Sequence, residues 1–189
     1  LPWLLVVEVL FIFLPLAFHA GYGVVIAWQG KLNASQYPYM DNWRYALQRV
    51  TAWITLAYIF IHLFHYRLAY WLGGPVFEGP DFFRLTQDGF LHSYIPAAVW
   101  LVIYLIGLTA TVYHFCNGLV TFCITWGVTV GVGSRKKMSV LAGGLGVVLL
   151  LWGFLSLYAL GTVEAKHTSA AHPSAQAGPV PAPSASKGF

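Results

Sequence analysis

Residues 101–125 read LVIYLIGLTATVYHFCNGLVTFCIT, a run that contains no Asp, Glu, Lys or Arg. The hydrocarbon core of a bilayer is about 30 Å thick, and an α-helix needs roughly 20 apolar residues to cross it. This run is therefore predicted to cross a membrane as a helix. It places His114 inside the hydrocarbon layer, where an ionisable side chain is costly and is usually functional.

Three further apolar stretches are long enough to cross a bilayer, so the sequence predicts an all-α transmembrane helical bundle. The four predicted spans are residues 2–28, 45–72, 93–130 and 139–163. The composition agrees, because 58% of the 189 residues are hydrophobic and 8% are charged, whereas a soluble domain carries about 25% charged residues. A soluble globular protein is thereby excluded.

The segments outside the spans contain residues that break helices. Residues 73–92 begin with Gly-Gly-Pro, and residues 131–137 are predicted to form a short basic turn. Residues 164–189 are rich in Ala, Pro and Ser, so the bundle at 1–163 is predicted to be followed by an extramembrane tail that lies extended against a neighbouring surface. The sequence starts beside an apolar helix without an initiator Met, so we expect further sequence upstream.

Positive charges are divided unequally between the two sides of the predicted bundle. One side holds six Lys and Arg residues and the other holds three, and the richer side is cytoplasmic by the positive-inside rule. The loops at 29–44 and 131–138 are thus predicted to be cytoplasmic, with the tail outside. The net charge of +4 comes from scattered residues, which argues against a nucleic-acid partner.

Four histidines fall within the predicted spans: His19, His62, His65 and His114. At a helical rise of about 1.5 Å per residue, His19 and His114 share one depth, roughly 5–10 Å to the cytoplasmic side of the midplane. They are candidates for the two axial ligands of one low-spin haem iron. For any one of these residues alone, an interhelical hydrogen bond explains a membrane histidine about equally well.

His62 is predicted to lie on the outer side of the midplane, where it is a candidate ligand of a second haem. His65 is three residues away on the same helix, and His92 sits at an outer helix end, so neither is a good partner. The missing ligand is expected from a helix that precedes Leu1, or from another chain.

Two arginines lie at opposite ends of the second span. Arg49 and Arg67 can each pair with a haem propionate at their own membrane face, although a side chain that reaches for water explains them nearly as well.

Cys116 and Cys123 have neither CxxC nor CxxCH spacing and are interpreted as packing residues. A transporter with a histidine proton relay is a rival function, but the shared depth of His19 and His114 argues against it.

Four spaced motifs together resemble a known family, the single-subunit cytochrome b anchors, of the two-haem cytochrome b558 type, of succinate dehydrogenases and fumarate reductases. The motifs cover residues 5–130 in order, and they include Phe18-His19-Ala20-Gly21-Tyr22-Gly23, Gln48-Arg49-Val50-Thr51, Ile61-His62-Leu63-Phe64 and His114-Phe115-Cys116-Asn117-Gly118. The family has five spans, and the sequence resembles the second through the fifth. A bacterial cytoplasmic membrane is the implied location.

The resemblance implies two haem b groups, with His19 and His114 on the proximal haem and His62 on the distal one. It also implies a flavoprotein subunit with FAD, an iron–sulfur subunit, and menaquinone or another quinone as the electron partner; higher oligomers of the complex stay open. Glu8, the one carboxylate within a span, is similar in position to a family carboxylate near the quinone, or else merely reaches for water. The membrane cytochrome b of a formate dehydrogenase or hydrogenase remains an alternative.

Overall fold

The computed structural model describes residues 3–68, 82–91 and 94–162. Within these ranges the chain is helical, with four helices long and apolar enough to cross a membrane. The predicted all-α transmembrane bundle is therefore confirmed. The helices are α1 (Leu4–Gln29), α2 (Met40–Leu63, continued by a π-helical turn at Phe64–Leu68), α3 (Phe82–Leu91), α4 (Ala97–Thr125) and α5 (Val132–Thr162).

The start of α5 corrects the predicted basic turn at 131–137. The helix begins at Val132, so Arg135, Lys136 and Lys137 are helical and exposed. Lys and Arg are good helix formers, and their long side chains can reach water while the backbone continues as a helix. The hydroxyl of Ser134 donates to the Gly131 carbonyl at 2.8 Å, which satisfies one polar group at this end.

Three other helix ends differ from the predicted spans. Helix α4 begins at Ala97, four residues after the predicted start at residue 93, and Pro96 directly precedes it. Helix α2 begins at Met40, five residues before the predicted Tyr45, and Asp41 lies in its first turn, where a carboxylate favours the helix N-terminus. Helix α4 ends at Thr125 rather than Val130. Gly127 has a φ of 70°, a left-handed conformation that glycine adopts easily, and it turns the chain towards α5.

Helix α3 lies between two predicted spans, in a segment whose Gly and Pro residues favour a loop, so the sequence did not indicate it. It is a short amphipathic helix whose Phe90 is 3% exposed and packs with Tyr104 and Leu157. The side-chain amide of Gln87 donates to the carbonyl of Leu160 at 2.8 Å, close to the end of α5. This bond satisfies one of the carbonyls that the last turn of a helix leaves without a partner.

Helix α4 is the centre of the bundle, because it packs against both α2 and α5. Small residues let these helices approach closely, as is common in membranes. A side chain on Gly107 would overlap Tyr58 of α2, and one on Gly153 of α5 would overlap Leu108. Cys116 is buried, and neither it nor Cys123 is in a disulfide, so the cysteines are packing residues in the described chain.

Helix α1 stands apart from this packed unit. None of its described residues is buried, and its side chains face α2 and α4 across a gap. A π-helical turn at Val9–Phe13 interrupts it just before Pro15. Since proline has no N–H, the turn before it cannot close the normal α-helical hydrogen bond.

Candidate functional site

The gap between α1, α2 and α4 is a cavity of about 960 Å³ with largely apolar walls. This volume is at the upper end of the range of small-molecule and cofactor sites, which is roughly 300–1,000 Å³. Four of its lining side chains carry imidazole, amide or guanidinium groups: His19 from α1, Gln48 and Arg49 from α2, and His114 from α4. The other polar groups at the wall include the hydroxyls of Tyr45, Thr55, Thr111, Thr121 and Thr125. A large apolar cavity with a few polar groups is typical of a site for a flat hydrophobic cofactor.

The structure brings His19 and His114 together across this cavity. Their ring centres are 6.2 Å apart and their ring planes are 77° from parallel. An iron–imidazole bond is about 2 Å long and the ring centre lies about 1.1 Å beyond its nitrogen, so two axial ligands of one iron have ring centres roughly 6 Å apart. The pair therefore fits the axial ligands of a haem iron.

The orientation of His114 is set by a contact with α2. Its Nδ1 lies 3.2 Å from the backbone carbonyl of Gln48. A carbonyl can only accept, so Nδ1 carries the proton in this contact and the lone pair is on Nε2. A ligand histidine that donates its other N–H to a carbonyl is the usual arrangement in metal sites.

Arg49 lies at the cavity wall with hydrogen-bonding capacity to spare. Its guanidinium is 3.8 Å from the centre of the Tyr45 ring, and Nη2 donates to the carbonyl of Ile26, near the end of α1, at 3.4 Å. Its Nε and Nη1 are buried and have no hydrogen-bond partner among the described residues. Buried donors of a cation are costly without an acceptor, so this site suits an anionic group such as a propionate.

His62 lies outside the cavity, at a second place on the bundle. Its ring centre is 4.9 Å from that of Tyr66, 6.0 Å from that of Tyr58 and 6.2 Å from that of Tyr104. The side chain is exposed in the described chain, so its ring is accessible to a group that packs against this surface. His62 does not lie with His19 and His114 at the cavity, which agrees with the different depth expected for it from the sequence.

The ring of His65 stacks on two aromatic side chains. Its ring centre is 5.0 Å from those of both Tyr66 and Trp100, and its Nδ1 is buried without a hydrogen-bond partner among the described residues. His92, the other histidine considered for this region, lies outside the described residues.

Two predicted site residues remain, Glu8 and Arg67, and Glu8 does not line the cavity. Glu8 is half-buried and lies directly before the π-helical turn of α1, a kind of irregularity that is frequent at functional sites. The side chain of Arg67 lies outside the part of the chain that the structure describes. The predicted tail at 164–189 also lies outside it.

Sequence reasoning missed a polar chain that leads from Arg44 to the site. Arg44 Nε donates to Asn117 Oδ1 at 2.9 Å, and Asn117 Nδ2 donates to Gln48 Oε1 at 2.7 Å. Gln48 Nε2 in turn donates to the carbonyl of His114 at 3.1 Å. Polar residues inside apolar helices were the available signal, but Gln48 and Asn117 were noted only as motif residues.

The described residues hold no group of three or more His, Cys, Asp and Glu side chains that could bind a metal ion directly. Haem needs only two protein ligands, because the macrocycle supplies the other nitrogens. The donors that meet at the cavity therefore fit haem iron better than a free metal ion.

Two comparisons with known proteins bear on this site. A family model described as "Succinate dehydrogenase/Fumarate reductase transmembrane subunit" matches residues 30–153. The chain is 36% identical to the succinate dehydrogenase cytochrome b558 subunit of Bacillus subtilis (strain 168) over 159 residues, which cover 84% of this chain and 74% of that relative. No solved structure matches the chain.

Proposed function

The chain belongs to the family of succinate dehydrogenase/fumarate reductase transmembrane subunits, and from this premise we propose that it binds haem b between α1 and α4. As a member of this family it is a membrane anchor subunit of a succinate dehydrogenase or fumarate reductase complex. His19 and His114 are the proposed axial ligands. The observation that carries the proposal is the 6.2 Å between their ring centres across a cofactor-sized cavity.

His19, Gln48, Arg49 and His114 each have a proposed part in holding this group. His19 and His114 would supply the two imidazole ligands of the iron, and the carbonyl of Gln48 orients the ring of His114. Arg49 offers its unpaired N–H groups to a propionate, while the apolar walls exclude water. When bound, haem supplies reversible one-electron chemistry, and the protein sets its potential through the ligands and the surrounding hydrogen bonds.

A second haem is proposed at His62, with its other ligand from outside the described residues. The support is the exposed position of His62 on the surface of α2, outside the cavity of His19 and His114. Arg67 is the proposed propionate partner there. Glu8 is proposed to assist proton uptake by menaquinone or another quinone, since quinone reduction consumes protons and Glu8 is the one carboxylate within the spans predicted from the sequence.

The chain is proposed to carry electrons between an iron–sulfur subunit and the quinone, while a flavoprotein subunit with FAD acts on succinate. This division of labour is supported by the family. The family membership sets aside both the transporter and the cytochrome of a formate dehydrogenase or hydrogenase. Co-purification of a flavoprotein with a reduced-minus-oxidised haem spectrum tests the proposal directly.

The topology gives a prediction at the two ends of α5. Residues 29–44 and 131–138 are proposed to face the cytoplasm of a bacterium, so a cysteine at Lys136→Cys should react with a membrane-impermeant maleimide only in inside-out vesicles. Gly161→Cys, exposed at the opposite end of the same helix, is the matched control and should react only from the outside. Labelling of Lys136→Cys in intact cells would reverse the proposed orientation.

Gly30 gives a second prediction, because a side chain at this position would overlap the guanidinium of Arg49. Gly30 has φ −81° and ψ 139°, which any residue adopts, so Gly30→Val acts by displacing Arg49 and not by backbone strain. A lost charge-assisted hydrogen bond is worth about 1.5–3 kcal/mol, so haem should dissociate roughly 10- to 100-fold more readily.

The measurement for Gly30→Val is transfer of haem to an excess of apomyoglobin from detergent-solubilised complex. Gly21→Ala is the control, because nothing lies within 4 Å of a side chain built there. Equal transfer rates for Gly30→Val and Gly21→Ala would show that Arg49 does not hold the propionate.

A further inference from the structure

The contact between His114 and Gln48 is reciprocal. The ring of His114 donates to the backbone carbonyl of Gln48, and the side chain of Gln48 donates back to the backbone carbonyl of His114. These bonds join the ligand residue on α4 to a single residue on α2. The position of the His114 ring thus depends on where α2 holds Gln48.

The Gln48 side chain is itself held by two further residues. Its oxygen accepts from Asn117, one helical turn beyond His114, and the oxygen of Asn117 accepts from Arg44, one turn before Gln48. Asn117 is 5% exposed, so both groups of its amide are satisfied away from water. The side chain of Arg44 is 32% exposed and lies 4.0 Å from Asp41.

We propose that Arg44, Gln48 and Asn117 are positioning residues for the iron ligand His114, and that they set the reduction potential of the haem it binds. This inference rests on the proposed function. It goes beyond that function because it assigns the potential to residues that are not iron ligands and that act through the ring nitrogen of His114.

Arg44, Asn117 and Gln48 act on His114 through the hydrogen bond from His114 Nδ1 to the Gln48 carbonyl. Outer partners fix the ring of a ligand histidine and raise its basicity, and their loss typically costs 10–100-fold in metal affinity. If Asn117 is removed, Gln48 Oε1 and Arg44 Nε lose their partners, and the Gln48 amide is free to turn away from the backbone carbonyl of His114. The side-chain bond that holds α4 to α2 at His114 is then lost, so Nδ1 is held less closely to the backbone carbonyl of Gln48. A weaker bond at Nδ1 makes a less basic ligand, which binds ferric iron less well than before, so the potential rises.

The test is redox titration of the complex in membranes, with Gln48→Leu and Asn117→Leu as the variants. Each keeps the backbone and the approximate side-chain volume, so haem should remain bound. We expect one haem midpoint to rise and the other to stay, with a tenfold change in the oxidised-to-reduced balance appearing as about 59 mV for one electron. The low-spin ferric electron paramagnetic resonance signal of the same haem should move with it.

A variant that combines Gln48→Leu with Asn117→Leu distinguishes one connected hydrogen-bond network from two independent effects. If Gln48 and Asn117 act through one path, the shift of the double variant should equal the larger single shift and not the sum. Thr109→Val is the control, because the hydroxyl of Thr109 donates to Leu105 of its own helix and does not line the cavity. It should leave both midpoints unchanged.

Unchanged midpoints and an unchanged resonance signal in Gln48→Leu and Asn117→Leu, with haem present, would overturn the inference and leave the haem proposal intact. The haem proposal fails separately, if substitution of His114 itself leaves the haem content unchanged. If Asn117→Leu does not accumulate in membranes, Arg44→Gln at the more exposed end is judged by the same two measurements.

Discussion

Replacement of His114 by alanine is expected to remove the haem at the α1–α4 cavity, and with it about half of the total haem if the second group at His62 is retained. The His114 ring is one of the two that meet at 6.2 Å, and no other described histidine lines this cavity. With one axial ligand gone, the iron would lose its low-spin state and its main tie to α4. Haem per protein, measured as the pyridine haemochrome in purified complex, checks this result.

A rescue experiment distinguishes loss of a ligand from loss of folding. His114→Gly should leave room for free imidazole, which should restore the low-spin spectrum when added to the complex. His19→Ala should give the same haem loss as His114→Ala, because both hold one iron. Unchanged haem in either variant, or a rescue that fails while the protein remains folded, would contradict the ligand assignment.

Replacement of His62 by alanine is the second large expected effect. The second haem should be lost while the haem at His19 and His114 keeps its spectrum, because His62 lies outside their cavity. Electron transfer to quinone should fall by at least about tenfold, since the proposed outer carrier is missing. Haem content and the midpoints from redox titration report the first effect, and succinate-driven quinone reduction reports the second.

His65 provides a matched control three residues along the same helix. His65→Leu should keep both haems, because this ring is stacked between Tyr66 and Trp100. A single haem in the unmodified complex, or full haem content in His62→Ala, would leave a one-haem anchor as the correct account.

The sequence predicted the depth of the histidines because helical rise is constant. Counting residues along two helices placed His19 and His114 at one level, and the structure brings their rings together. The same count separated His62 from them. Depth is a property of one helix at a time, so it can be obtained without knowing how the helices pack.

Contacts between helices could not be obtained in this way. The amides of Gln48 and Asn117 were visible as polar groups in apolar runs, but their partners depend on the rotation of α2 against α4. That rotation is fixed by close packing such as that of Gly107 against Tyr58. Site geometry therefore required the structure even where the site residues themselves were predicted.

Helix ends were predicted poorly where the helix leaves the apolar layer. The length rule counts apolar residues and so excluded Arg135 to Lys137 from α5, although a helix continues easily into water. Helix α3 was missed because it is short and follows a cluster of Gly and Pro. The buried face of α3 can be recognised only once the structure shows that Phe90 packs against α4 and α5.

The separation of α1 from the packed unit of α2, α4 and α5 bears on the order of biogenesis. The packed unit can form in the membrane before the cofactor arrives, because its contacts do not involve the cavity wall contributed by α1. Haem can then be loaded from the side, and ligation by His19 would bring α1 into place as the last step. The loop at residues 30–39 should accordingly be cleaved by protease faster in cells starved of haem than in haem-replete cells.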